Sequence, residues 1–396
     1  MAFRLISSIA RSDDPSAARG HLVAMAIAFL LILGFKIQDF DIQPLLGSFD
    51  DRWFHDYTPY FPGLDHLEQH EIFSPRYAHK KKIVLLGASS VDSIGCDFSW
   101  GTPDFTRQPS INADYFCSIA ANMNRQLQRE GLEDWRVFNL ARNGAFLTPM
   151  LYVYARIAVL KPEIVMYGDI MRVHGSGDYL AKNADANVLN ASHYAYLDRT
   201  FGASSETAVI WRAYRETLMK HGWQPPAETT ASNDLSANFQ PRQRTTLSDI
   251  LVHFIAVARR SRPADGPPLP VKFVPFRDWD QKQYVPYSFE NRDQGFGYFQ
   301  GIRLISELQR RHNGKVFFYF SPLYNGRHDL TLLTALNDIY GTYLTSNGIA
   351  FASHAALGLQ PIYETYDGEH QTMYGNRVVA AILLNDLREQ GLIYTR

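Results

Sequence analysis

The sequence predicts an α/β fold: a doubly wound, parallel five-stranded sheet with helices on both faces, a large insertion and an N-terminal membrane helix. Two observations lead there. From Lys80 onward, short apolar runs alternate with segments of helical period, the pattern of a parallel sheet covered on both sides. That rhythm breaks once, over about 173–297, and then resumes. Near the other end, Leu22–Phe35 is an uninterrupted apolar run. A chain of 396 residues has ample material for a large core, and 39 Lys+Arg against 40 Asp+Glu give no global basic signal for nucleic acid.

Residues 1–37 read as a cytoplasmic tail and membrane anchor. Signal peptide, buried core helix and anchor compete for the 14-residue run; Gly20, His21 and Ile37 lengthen it, and Lys36 can snorkel. No small-x-small cleavage site follows, which disfavours a signal peptide. Arg4, Arg11 and Arg19 precede the run and Asp39, Asp41, Asp50 and Asp51 follow it, so the positive-inside rule puts the N-terminus in the cytoplasm. The expected location is therefore the cell inner membrane, single-pass, with the bulk of the chain on the periplasmic or extracellular side. Residues 38–79 read as a connector rich in aromatics, Trp53, Phe54, Tyr57, Tyr60 and Phe61 among them.

The main domain, 80–396, begins with the strand Ile83–Gly87, a buried run with a basic entry and a glycine exit. Ala88, Ser89 and Ser90 follow as a turn. A helix is expected over Asn112–Arg129, a strand over Arg136–Leu140, a helix over Thr148–Leu160 and a strand over Glu163–Gly168. The insertion carries helical pieces near Glu206–His221 and Leu247–Arg260 and the Pro-rich Arg262–Pro270. It reads as a lid over the site; its aromatic run, Trp279 included, either stacks on sugar rings or packs the lid down. Beyond it come the helix Tyr298–Arg311, the strand Lys315–Ser321, the helix Leu330–Thr345, the strand Gly348–Ser353 and the helix Tyr374–Gln390. Five strands and five helices in this order fit a flavodoxin-like sandwich. The two cysteines, Cys96 and Cys117, have no metal-ligand spacing; they either pair or stay as buried thiols.

Chemistry-bearing residues leave the carboxyl ends of the strands, where α/β sheets collect ligands. Ser89 follows the first strand and Asn143-Gly144 the second. Asp169 and Arg172 follow the third, and Asp367 and His370 precede the last helix. A serine, a histidine and an aspartate on one edge are the parts of a nucleophilic triad. His370 takes the Ser89 proton, Asp367 orients the imidazole, and the backbone N–H groups of Ser89 and Gly144 face the oxyanion.

GASS at 87–90, NLARNG at 139–144 and DGEH at 367–370 resemble the first, second and fifth blocks of the SGNH (GDSL-like) hydrolases. KPEIVMYGD at 161–169 resembles that family's third-strand entry, and the text after DGEH resembles its closing helix. The resemblance covers roughly half of the chain. It implies a serine esterase or acyltransferase with Ser89 as nucleophile, Gly144 in the oxyanion hole, Asp367 and His370 completing the triad, and no cofactor or metal. Two departures stand out. The glycine after the nucleophile comes late, at Gly95, and the third block, which in the family ends in Gly-x-Asn-Asp, here reads Gly168-Asp169. Arg172, one helical turn past Asp169, is the candidate substitute donor, with Asp169 orienting it; the alternative is a structural ion pair of the two at the base of the insertion. Anchor plus domain also resembles membrane-tethered SGNH proteins of bacterial envelopes. Those work beside membrane-bound O-acyltransferases on acylated polysaccharide, which makes acylated glycan the expected substrate. A small-ester or lipid hydrolase and a catalytically silent SGNH-like binding protein are the alternatives.

Overall fold

The computed structural model describes residues 64–92, 118–142, 147–169, 189–224, 292–322, 330–357 and 370–394, all belonging to one compact unit. Five strands form the sheet: β1 (Lys81–Gly87), β2 (Trp135–Asn139), β3 (Ile164–Asp169), β4 (Lys315–Phe320) and β5 (Ala350–Ser353). All pairings are parallel, and the order is β2-β1-β3-β4-β5. The sheet is the doubly wound one that the alternation predicts. Because the chain leaves β1 toward β2 and returns on its other side as β3, the carboxyl ends of β1 and β3 flank a topological switch point.

Alternation along the strands sorts side chains onto two faces. Val84, Leu86, Phe138, Val165, Tyr167, Phe318 and Phe320 face a broad layer built on α3 (Leu147–Ile157), α6 (Arg292–Arg310) and α7 (Leu330–Ser346). Ile83, Leu85, Val137, Ile164, Met166, Phe317 and Tyr319 face a narrower layer. That second layer holds α1 (Ser89–Asp92), α2 (Ile119–Arg129) and α8 (Met373–Glu389). Both faces being covered explains why strands such as KVFFYF are apolar throughout and not alternating.

Several boundaries differ from the sequence expectation. Ser89 and Ser90 open a four-residue helix, not a turn. The helix expected from Asn112 begins at Ile119, because the Ser118 hydroxyl accepts the Ala121 N–H at 3.1 Å and caps it there. The helix expected from Tyr298 begins at Arg292, so the end of the expected insertion lies inside α6. Leu160 ends a 3₁₀ turn, Ala158–Leu160, and not α3; Lys161 at φ 50° stops it.

Within the insertion, α4 (Ala191–Gly202) was not expected, whereas α5 (Ser205–Lys220) was. Asn190 caps α4 reciprocally with His193: each side chain bonds the other's backbone N–H. Leu197, Phe201, Trp211, Tyr214 and Leu218 of α4 and α5 are buried in the broad layer with α3 and α6. Residues 170–188 and 225–291, which hold the rest of the expected lid, its second helical piece and Trp279, lie outside the described residues, as do Cys96 and Cys117.

The described part of the connector is three 3₁₀ turns, Leu64–Gln69, Glu71–Phe73 and Pro75–Tyr77. Leu64, Leu67, Ile72 and Tyr77 join the broad core. An ion pair between Glu71 and Arg136 of β2, 3.4 Å apart and 5% exposed on each side, fixes the turns to the sheet. The Arg136 guanidinium also lies 5.0 Å from the Tyr77 ring centre. No helix among the described residues is long and apolar enough to cross a membrane, and Leu22–Phe35 lies outside them.

Candidate active site

The switch point is closed by two glycines that are partners in the β1–β3 ladder, Gly87 and Gly168. Gly87 has φ 147°, a conformation that favours glycine, and a Cβ there would meet the Gly168 carbonyl at 2.4 Å and Val91 Cγ2 at 2.7 Å. A Cβ on Gly168 would overlap the Tyr319 hydroxyl at 2.4 Å and Val91 Cγ2 at 2.6 Å. The glycines thus let Val91 of α1 and the Tyr319 ring of β4 close down over the strand ends. The space over Gly87 and Gly168 is filled by the protein's own side chains.

Ser89 is the first residue of α1, two positions beyond the end of β1. Val91 anchors this turn, its N–H donating to the Ala88 carbonyl at 3.0 Å and its side chain lying on the narrow face. The second strand delivers its segment to the same place. Leu140 N donates to Leu85 O at 2.9 Å and Arg142 N to Gly87 O at 3.0 Å, so the chain stays alongside β1 right up to Asn143. Asn143 and Gly144 themselves lie outside the described residues.

His370 is buried and stands two residues before Thr372, whose hydroxyl caps α8 by accepting the Gly375 N–H at 3.1 Å. In the last turn of α8, Arg388 pairs with Glu130, which closes α2 just before β2 begins at the amino edge of the sheet. A helix of this length spans about 25 Å, so the first turn of α8, with His370 before it, belongs to the carboxyl edge. Ser89 and His370 therefore share one edge, and α1 and α8 share the narrow face. Asp367 and Arg172 lie outside the described residues.

Asp169 takes a different direction. It is buried on the broad side, where its carboxylate accepts a hydrogen bond from the Tyr298 hydroxyl of α6. The Tyr298 and Tyr167 hydroxyls are 3.0 Å apart. A phenol has one hydrogen; with that of Tyr298 given to Asp169, Tyr167 donates to Tyr298. Burial first, then the Asp169 charge, holds the Tyr167 phenol well above its usual range.

Tyr319 is the residue the sequence did not mark. Its hydroxyl is fully buried and has no hydrogen-bond partner among the described residues. Burial, and then the Asp169 charge, pushes this phenol up as well, so it remains a donor across the working pH range. Ser90 and Ser321, next to the ends of β1 and β4, also carry buried hydroxyls with no partner among the described residues. The available signal was a single polar atom inside an otherwise apolar strand, which periodicity does not distinguish from core. Among the described residues no group of three or more His, Cys, Asp or Glu is placed to hold a metal ion.

No protein-family model and no curated protein matches the chain. Among solved structures it is similar to an acetyl xylan esterase from the rumen bacterium Butyrivibrio proteoclasticus, with 11% identity and a TM-score of 0.35 over 80% of this chain and 66% of that one. It is also similar to a family two carbohydrate esterase from Clostridium thermocellum, determined with cellohexaose, with 12% identity and a TM-score of 0.36 over 79% and 65%. The chain thus aligns with a little under two thirds of the length of either protein. Its doubly wound order stands on its own strand pairing and not on these likenesses.

Proposed function

We propose that this chain is a serine-dependent esterase of the SGNH type. What supports the reading is that Ser89, the first residue of α1, and His370, two residues ahead of the cap of α8, lie at the same edge of the sheet although 281 positions apart in sequence. Ser89 Oγ attacks an ester carbonyl while His370 takes its proton, and the carbonyl π pair moves onto oxygen. The tetrahedral intermediate then expels the alcohol, which leaves with the proton from His370. Asp367 orients and stabilises the imidazolium, and the backbone N–H groups of Ser89 and Gly144 receive the oxyanion. Water or a second sugar hydroxyl then takes the acyl group, giving hydrolysis or transfer.

The finer reading is an O-acyl esterase or acyltransferase on acylated envelope glycan, tethered by Leu22–Phe35 and working beside a membrane-bound O-acyltransferase. Its support is the sequence: the charge asymmetry around the apolar run, and an aromatic run suited to sugar rings. Turnover of a chromogenic acetyl ester by the full chain, lost in Ser89→Ala and His370→Ala, is the expected result. Trp279→Ala then separates the substrate classes: it weakens release of acetate from acetylated polysaccharide and leaves the small ester unaffected. Absence of turnover in the wild-type chain assigns it to the silent binding-protein alternative.

A further inference from the structure

The connector does more than lead into the sheet. β2 is an edge strand, so its outward-facing backbone groups have no neighbouring strand to bond. Side chains take that place. Asn124 of α2 accepts the Val137 N–H at 2.8 Å and donates to the Val137 carbonyl at 3.0 Å. Two residues on, the Asn139 carbonyl lies 3.1 Å from Nε2 of His70, a buried residue of the connector. His70 Nδ1 accepts the Ile72 N–H at 3.1 Å, which puts the ring hydrogen on Nε2 and makes Nε2 the donor to Asn139. The Asn139 side chain in turn accepts the Ala141 N–H at 3.1 Å. With Leu140 N and Arg142 N bonded to β1, every residue from Asn139 to Arg142 is held, and Asn143 and Gly144 come next in the chain.

We infer that His70 is a positioning residue: by holding the Asn139 carbonyl, it sets the course on which the chain leaves β2 toward Gly144. The inference rests on the esterase reading, in which the Gly144 N–H receives the oxyanion. An edge that needed only sealing is served by Asn124, from the sheet's own helical layer. His70 adds a second hold at the last residue of the strand, from 69 positions away. Its ring is fixed at both nitrogens, so the hold is rigid. Burial above all lowers its pKa to about 3, which keeps it a neutral donor across the working pH range. Displacing a group that meets the reacting atoms by about 1 Å costs about 10²-fold in rate, which is the scale of what this hold protects.

The test sets His70→Asn beside His70→Gln in the full chain, purified in detergent and assayed on a chromogenic acetyl ester. Asparagine keeps an acceptor for the Ile72 N–H and is too short to reach Asn139, whereas glutamine carries its amide out to where Nε2 stood. His70→Asn is expected to lower kcat by about 10–100-fold with KM changed by less than about threefold, and His70→Gln to stay within about threefold of wild type. Asn139→Ala, which removes the bond to Ala141 and leaves His70 in place, carries the same expectation as His70→Asn. Asn124→Ala is the control for edge sealing: it lowers the melting midpoint and leaves the kcat of the folded protein unchanged. Wild-type kcat in His70→Asn overturns the inference, as does a His70→Gln no better than His70→Asn, or an equal loss of kcat in Asn124→Ala. If His70→Asn does not fold, Asn139→Ala decides: wild-type kcat there, or loss of folding in both, makes the role structural and overturns the inference. A wild-type chain without ester turnover instead overturns the esterase reading, and this inference with it.

Discussion

The two faces of the sheet treat their buried hydroxyls in opposite ways. On the broad face four buried phenols have a partner inside the chain. Tyr298 reaches Asp169, Tyr167 reaches Tyr298, Tyr154 donates to Gln309 at 3.0 Å, and Tyr214 lies 2.9 Å from the Thr148 hydroxyl. On the narrow face the Tyr319 hydroxyl has none among the described residues. The broad face is also the thicker one, with α4, α5 and the 3₁₀ turns added to its core. A closed polar network rigidifies, whereas an open one is costly until something fills it. Under the proposed function, the narrow face, which carries α1 and α8, serves chemistry and the broad face serves stability.

The largest expected effect lies on the narrow face. Ser89→Ala or His370→Ala is predicted to lower kcat by about 10⁴-fold or more, and Asp367→Ala by less, since the orienting acid is the least costly member of such a set. Melting midpoints should hardly move. Steady-state kinetics beside calorimetry checks this, and a large stability loss in Ser89→Ala would blur the division between the faces.

On the broad face the order reverses. Arg136→Met removes the buried guanidinium that Glu71 meets at 3.4 Å and is predicted to cost about 3–5 kcal/mol. Urea unfolding measures it, and ester turnover in the surviving folded fraction should match wild type. Tyr298→Phe removes the donor to Asp169 and is predicted to cost about 1–3 kcal/mol. Its counterpart Tyr319→Phe, the same chemical change on the other face, should cost nothing. Equal stability losses in this pair would break the comparison.

The smallest effect is a pH slope. His70 Nδ1 accepts the Ile72 N–H and Nε2 lies 3.1 Å from the Asn139 carbonyl, so the buried ring is neutral and donates from Nε2. Burial above all lowers its pKa from 6.5 to about 3. Between those two values the unfolded chain binds a proton that the folded chain refuses, so stability falls as pH falls below about 6.5. The slope from this one group is about 1.4 kcal/mol per pH unit. Unfolding midpoints at pH 7, 6 and 5 should show it, and His70→Gln should flatten it.

Much of this was legible in the sequence because it is local. Ile83–Leu86 announces a buried strand by its own composition, and a serine placed just after its glycine exit marks the edge where chemistry gathers. The helix α4 was not expected: Tyr194, Leu197 and Phe201 have helical spacing, but three residues past Asn190 stands His193 and not a standard capping partner. The remainder depends on contacts between distant parts of the chain. Nothing near His70 in sequence foretells Asn139, and nothing near Asp169 foretells Tyr298. Alternation places Tyr319 on a face of β4, but only tertiary packing reveals that its hydroxyl meets no partner among the described residues. The departure of the third block is likewise visible in sequence, while the partner Asp169 takes in the fold, Tyr298, stands 129 residues further on.

The central claim is that Ser89 is an activated nucleophile served by His370. Treating the full chain with a fluorophosphonate probe and mapping the adduct by peptide mass spectrometry tests it most directly. The account predicts a single adduct on Ser89, strongly slowed in His370→Ala and absent in Ser89→Ala. An unlabelled chain, or an adduct on Ser90 that persists in Ser89→Ala, would contradict it.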